Sequence, residues 1–143
     1  MPLPVCAPAL ASDRLRPLKK PADLANHTLL TIDMPQGMEL TADWEPWFTV
    51  MQLAAPRMKN TLRFTQYTDA VAAAVAGQGV VIGRMPLLKE LLRDGRLVAP
   101  FKGAASRRGY FVDTSARGRH DPDAQDFIRW LRSEAEAAGS QRN

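Results

Sequence analysis

The stretch from Leu62 to Gly83, LRFTQYTDAVAAAVAGQGVVIG, decides the fold. Leu62 to Phe64 reads as a strand. Thr65 or Thr68 stands where a helix cap belongs, the alanine-rich run Asp69 to Ala76 has the highest intrinsic helix propensity, and Gly77 supplies the left-handed residue that ends it. Gly79 to Gly83 then forms a continuous apolar strand. Its Val80, Val81 and Ile82 are branched at Cβ, as expected of a strand buried on both faces of a parallel sheet.

Working outward, the same alternation repeats. Upstream, Leu3 to Cys6 is a short extended segment bracketed by prolines, and Pro8 to Ala11 and Pro21 to Ala25 each place proline at a first helical position. Thr28 to Ile32 reads as a buried strand. A loop with Pro35 and Gly37 leads to a helix over Thr41 to Ala55, where Trp44, Trp47, Phe48 and Met51 fall on one face; such an aromatic stripe reads as core. Downstream, the pattern predicts a helix over Pro86 to Arg93 stopped at Gly95, and strands over Leu97 to Phe101 and Tyr110 to Val112. A last helix opens at Asp121-Pro122-Asp123, with Phe127, Ile128, Trp130 and Leu131 on its apolar side, and ends at Gly139. Strands alternating with helices imply an α/β fold with a mainly parallel sheet.

The composition sets limits on function. The chain has 143 residues, 45% hydrophobic and 24% charged, an ordinary globular balance. Lys plus Arg is 19 and Asp plus Glu is 15, giving +4, but basic residues are interleaved with acids along 89–96 and 117–136 rather than gathered into a nucleic-acid stripe. A single cysteine, Cys6, excludes an intrachain disulfide framework and a cysteine-rich zinc site. The start lacks the pattern of a signal peptide and no window has the run of a membrane span, so a cytoplasmic location without membrane contact is expected.

Catalytic chemistry is thin. His27, between a one-turn helix and a strand, reads as a structural histidine, and His120, ahead of the last helix, as a solvated one. There is no GxSxG elbow, no HExxH and no paired-histidine metal spacing, so neither enzyme activity, metal nor cofactor is expected. Gly77-Gln78-Gly79 follows a helix and precedes a strand, the reverse of a phosphate cradle. The junction after Phe64 has the right order: a strand ends at a helix N-terminus made of Thr65, Gln66 and Tyr67, where backbone N–H groups favour an anion. Ligands of open α/β sheets bind at the carboxyl ends of the strands, and Arg84, at the end of the next strand, offers a countercharge.

These residues, taken in order, resemble the effector-binding (substrate-binding) domain of LysR-type transcriptional regulators. Pro4-Val5-Cys6-Ala7-Pro8-Ala9-Leu10 is similar to that family's PVCSPAL stretch, with Ala7 in place of the serine. Pro21-Ala22-Asp23-Leu24 with His27-Thr28-Leu29-Leu30 resembles its PxDLxxHxLL segment, and Trp44-Glu45-Pro46-Trp47-Phe48 its WxxW helix. Gly77 to Val81, Pro86-Leu87-Leu88, Gly95 to Val98, and Phe127 with Trp130-Leu131 follow in the family's order and spacing.

The resemblance implies a fold like the type II periplasmic binding proteins, in which two α/β subdomains close on a small effector. Residues 1–105 would be one complete, mainly parallel subdomain, the family's second. Residues 106–143 would be the return strand and carboxyl-terminal helix of an incomplete first subdomain. The family's effector contacts map onto Phe64, Thr65, Gln66 and Tyr67, the junction reached above from electrostatics. No winged helix-turn-helix motif occurs in these residues, so no direct DNA contact is expected. The implied function is a non-catalytic sensor of a small, carboxylate-bearing effector in an inter-subdomain cleft, within an oligomer. The alternative is a truncated homologue acting only by association with itself or with a full-length LysR-type partner.

Overall fold

A computed structural model of the chain describes residues 3–33, 44–54, 60–85, 87–101 and 111–139. They group into two compact units, Met1–Arg107 and Arg108–Asn143. In the first unit the elements run β1 (Leu3–Val5), α1 (Pro8–Ala11), a 3-10 turn (Pro21–Asn26), β2 (Thr28–Ile32), α2 (Trp44–Val50), β3 (Asn60–Phe64), α3 (Tyr67–Val75), β4 (Val80–Gly83) and α4 (Lys89–Arg93). The strands form one sheet in the order β1-β4-β2-β3. β2 pairs in parallel with both β3 and β4, while β1 runs antiparallel to β4.

This order explains the layers. The path from β2 to β3 moves one way across the sheet, and the path from β3 to β4 steps back past β2; right-handed crossovers therefore put α2 and α3 on opposite faces. Two separate cores result. On one face Trp44, Trp47 and Phe48 pack with Cys6, Leu18, Leu24, Leu29, Val80 and Ile82. On the other, Ala70 and Ala74 of α3 and Leu88 pack with Val5, Leu30, Val81 and Leu97. Leu29 against Leu30, and Val81 against Val80 and Ile82, show the two-residue alternation of strands buried on both sides.

The aromatic stripe is core, as its spacing predicts. Trp47 meets Trp44, Phe48 and Phe101 at ring-centroid distances of 5.9, 5.1 and 6.0 Å. The Trp44 indole N–H donates to the Leu30 carbonyl at 3.1 Å, so the polar atom of a buried ring is satisfied on β2 itself. His27 is buried at 3% exposure, and its Nε2 has no hydrogen-bond partner among the described residues. Asp23 holds the 3-10 turn by accepting from the backbone N–H groups of Lys19 and Lys20 at 2.9 and 3.0 Å; the Lys19 bond foremost keeps its carboxyl below the ordinary range.

Glycines close two helices. Gly77 (φ +79°) donates to the Ala74 carbonyl and Gln78 to that of Ala73, and Gly95 (φ +72°) repeats the arrangement with Leu92 while Arg96 donates to Leu91. Both are Schellman endings. Gly79 answers a different need, because a Cβ there would lie 2.4 Å from the Thr28 carbonyl oxygen.

Several expectations are corrected. The strand predicted over Leu97 to Phe101 is a single antiparallel bridge between Val98 and Cys6, because Leu97 turns into the core directly after the Gly95 helix ending. Phe111 and Val112 form no strand, and Tyr110 lies outside the described residues. The helix predicted from Pro86 is regular only over Lys89–Arg93, and that over Thr41 to Ala55 only over Trp44–Val50, the residues at 41–43 and 55 lying outside the description. Neither Thr65 nor Thr68 caps α3: Gln66 is the N-cap, with extended backbone and no side-chain bond, and Thr68 lies inside the helix.

The second unit is built around α5 (Pro122–Gly139), preceded by a 3-10 turn over Gly118–His120. Asp121 caps α5 through its Oδ1, which accepts the Asp123 N–H at 2.9 Å, and the Gln125 amide donates to the Gly118 carbonyl. The apolar side of α5 is open: Phe127 and Trp130 stack on each other at 5.8 Å, yet are 58% and 54% exposed.

Two outcomes follow from this packing. Gly79→Ala should destabilise by roughly 1–3 kcal/mol through overpacking against β2, more than Gly95→Ala, which meets open space and has mainly its left-handed backbone to strain; urea unfolding midpoints of the two variants check the order. Burial raises the Cys6 thiol from 9.0 to about 11. The folded state thus holds that proton more tightly than the unfolded chain, so its stabilising contribution is complete below pH 9 and is lost as pH rises towards 11. Native protein should resist iodoacetamide until urea is added, and Cys6→Ala should flatten the alkaline fall of the unfolding midpoint.

Candidate functional site

The candidate site begins where β2 and β4 part. β2 stays paired with β3 to its last residue, Ile32 opposite Phe64, but meets β4 only through Leu29 with Val80 and Leu30 with Val81. Beyond those pairs the chain leaves β2 towards α2 on one face, and leaves β4 towards Leu88 and α4 on the other. Neighbouring strands whose outgoing connections take opposite faces form the switch point at which open α/β sheets bind ligands.

Tyr67 fills the upper end of this divergence. Its hydroxyl donates to the Ile82 carbonyl and accepts the Arg84 backbone N–H, each at 2.8 Å. These two backbone groups stand two residues apart and so leave the strand on the same side, where one hydroxyl bridges both. The Arg84 guanidinium carbon then lies 4.4 Å from the centre of the Tyr67 ring, a cation–π arrangement. Through one side chain the first residue of α3 is thereby tied to the end of β4.

Of the residues singled out from sequence, Tyr67 and Arg84 are in direct contact and both are half-buried. Phe64 is the last residue of β3; its carbonyl accepts the Asp33 N–H at 2.7 Å, and its ring packs against the α3-side core. Thr65 and Gln66 form the exposed link between β3 and α3, and among the described residues neither makes a side-chain hydrogen bond. The backbone alone therefore builds the helix terminus, whose first N–H groups have no partner within the helix. Sequence reasoning missed Asp33, which follows β2 and pairs with Arg63 at 3.5 Å. Its signal was available: it is the first polar residue after the apolar run of β2, as Thr65 is after β3.

His27 stands before the first residue of β2, at the opposite end of the strand from this site, and among the described residues no group of histidine, cysteine or carboxylate side chains could hold a metal ion. No helix among them is long and apolar enough to cross a membrane.

The sequence profile of the LysR substrate binding domain matches residues 2–136. The chain is 28% identical to the HTH-type transcriptional activator AmpR of Yersinia enterocolitica, covering 94% of this chain and 43% of the relative. It is 30% identical to the glycine cleavage system transcriptional activator of Escherichia coli K12, covering 94% and 42%. The chain thus spans about two fifths of the length of these relatives. Among solved structures, the AmpR effector binding domain from Citrobacter freundii superposes with a TM-score of 0.65 at 26% identity, over 91% of this chain and 60% of that one. The AmpR effector domain of Pseudomonas aeruginosa, at 22% identity, has the same fold, with a TM-score of 0.66 over 99% of this chain and 65% of its own. The chain belongs to the LysR substrate binding domain family.

Proposed function

We propose that the chain is the effector-sensing part of a LysR-type transcriptional regulator, binding a small carboxylate-bearing molecule and carrying out no catalysis. The observation that carries this reading is Arg84 held against Tyr67 at the start of α3, beside the β2/β4 switch point, in a chain of this family. Phe64, Thr65, Gln66, Tyr67 and Arg84 line the ligand side. The open N–H groups of α3 and the Arg84 charge favour an anion.

In this reading residues 1–105 are the family's second subdomain and residues 106–143 the returning part of the first; the division of the chain into compact units between Arg107 and Arg108 supports it. The ligand binds at the carboxyl end of β4 beside the start of α3 and biases a regulator between conformations by binding one of them better. The location is the cytoplasm and the assembly is an oligomer.

Isothermal calorimetry against a panel of small organic acids tests the site. One acid should bind, and Thr65→Val and Arg84→Gln should each weaken it roughly tenfold, the equivalent of about 1.4 kcal/mol. Thr65 caps nothing, so its substitution leaves α3 intact. Equal binding by all three proteins would refute the assignment.

The exposed apolar side of the second unit favours another reading: association with a second copy or with a full-length LysR-type partner. Phe111 is 90% exposed and lies in the same unit as Phe127 and Trp130. Exposed aromatic clusters of this kind mark interaction surfaces. Sedimentation velocity should give a concentration-dependent coefficient that Phe127→Ser with Trp130→Ser abolishes, and a monomer at every micromolar concentration with no affinity for a full-length LysR-type protein would remove this reading.

A further inference from the structure

We propose that Tyr67 is a positioning residue for Arg84, fixing both its main chain and its guanidinium so that Arg84 meets the ligand's carboxylate already oriented; this rests on the binding reading given above. Two bonds fix the main chain. The Tyr67 hydroxyl accepts the Arg84 N–H and donates to the Ile82 carbonyl, both at 2.8 Å, at the stretch of β4 that β2 has ceased to pair. The ring fixes the side chain, with the guanidinium 4.4 Å from its centre.

The arrangement has chemical consequences. An arginine with a mobile stem loses rotamer entropy when it captures a carboxylate, and a ring beneath the guanidinium removes part of that cost before the ligand arrives. Stacking occupies the face of the guanidinium, whereas its N–H donors lie in the plane, so the two uses are compatible. The hydroxyl takes no ligand contact in this scheme, since its donor and one acceptor position are already spent on β4. Because Tyr67 is also the first residue of α3, any displacement of Arg84 by a ligand is passed to that helix through the Arg84 N–H bond to the hydroxyl and the guanidinium's contact with the ring.

The test is a nuclear magnetic resonance titration of the full chain, following the Arg84 Nε–Hε signal as acetate is added, with acetamide as the uncharged control. Acetate should shift the signal saturably and acetamide should not. Tyr67→Phe keeps the ring and loses the hydroxyl: the ring-current displacement of the Nε–Hε signal should persist while acetate binds roughly tenfold more weakly. Tyr67→Leu should lose the displacement and bind more weakly still, and Arg84→Lys should not restore binding in either background. Wild-type acetate affinity in Tyr67→Phe and Tyr67→Leu overturns the positioning role while leaving the site in place. No saturable shift in the wild type, or undiminished acetate binding by Arg84→Gln measured calorimetrically, overturns the binding reading and this inference with it.

Discussion

Two strands, β2 and β4, are buried on both faces, and the rest of the first unit is arranged around that demand. A strand covered on both sides cannot leave a polar group to water, so its ladder must be complete or its gaps filled by side chains. β2 meets the demand with a strand on each side and with the Trp44 indole on its Leu30 carbonyl. β4 meets it with β1 on one edge and, past the end of its short pairing with β2, with the Tyr67 hydroxyl. The tyrosine is thus a structural substitute for two missing ladder bonds as well as part of the candidate site.

The same demand accounts for the glycines and small residues. Gly79 admits the Thr28 carbonyl where α3 turns back into β4, and Ala70 and Ala74 bring that helix down onto Leu30 and Val81. Helix and sheet approach closely, and the start of α3 is tied to the end of β4 through the Tyr67 hydroxyl.

Much of this was legible from residues 62 to 83, because alanine propensity, the Gly77 stop and Cβ-branched residues all point to one answer there. Agreement was weaker where a single force decides. Leu97 to Phe101 has the composition of a strand, but the helix ending at Gly95 directs Leu97 into the core and leaves one bridge to Cys6. Threonines beside a helix start looked like caps, yet the extended Gln66 took the position. The candidate site was legible as a place, the end of β3 and the residue after β4. The bond between its parts was not, since Tyr67 and Arg84 lie 17 residues apart and meet only because the crossover brings α3 back beside β4. Asp33 escaped notice because its relation to Phe64 depends on parallel pairing across a long connection.

The three tryptophans are divided between the units in a way that makes the chain its own spectroscopic probe. Trp44 and Trp47 sit in a buried aromatic cluster at 2% and 3% exposure, whereas Trp130 on α5 is 54% exposed. Such burial should give the buried pair short-wavelength emission shielded from iodide, whereas Trp130 should emit further to the red and be open to the quencher. Light emitted at the two ends of the spectrum therefore reports separately on the sheet that carries the candidate site and on the helix whose apolar side is uncovered, with no label added to either.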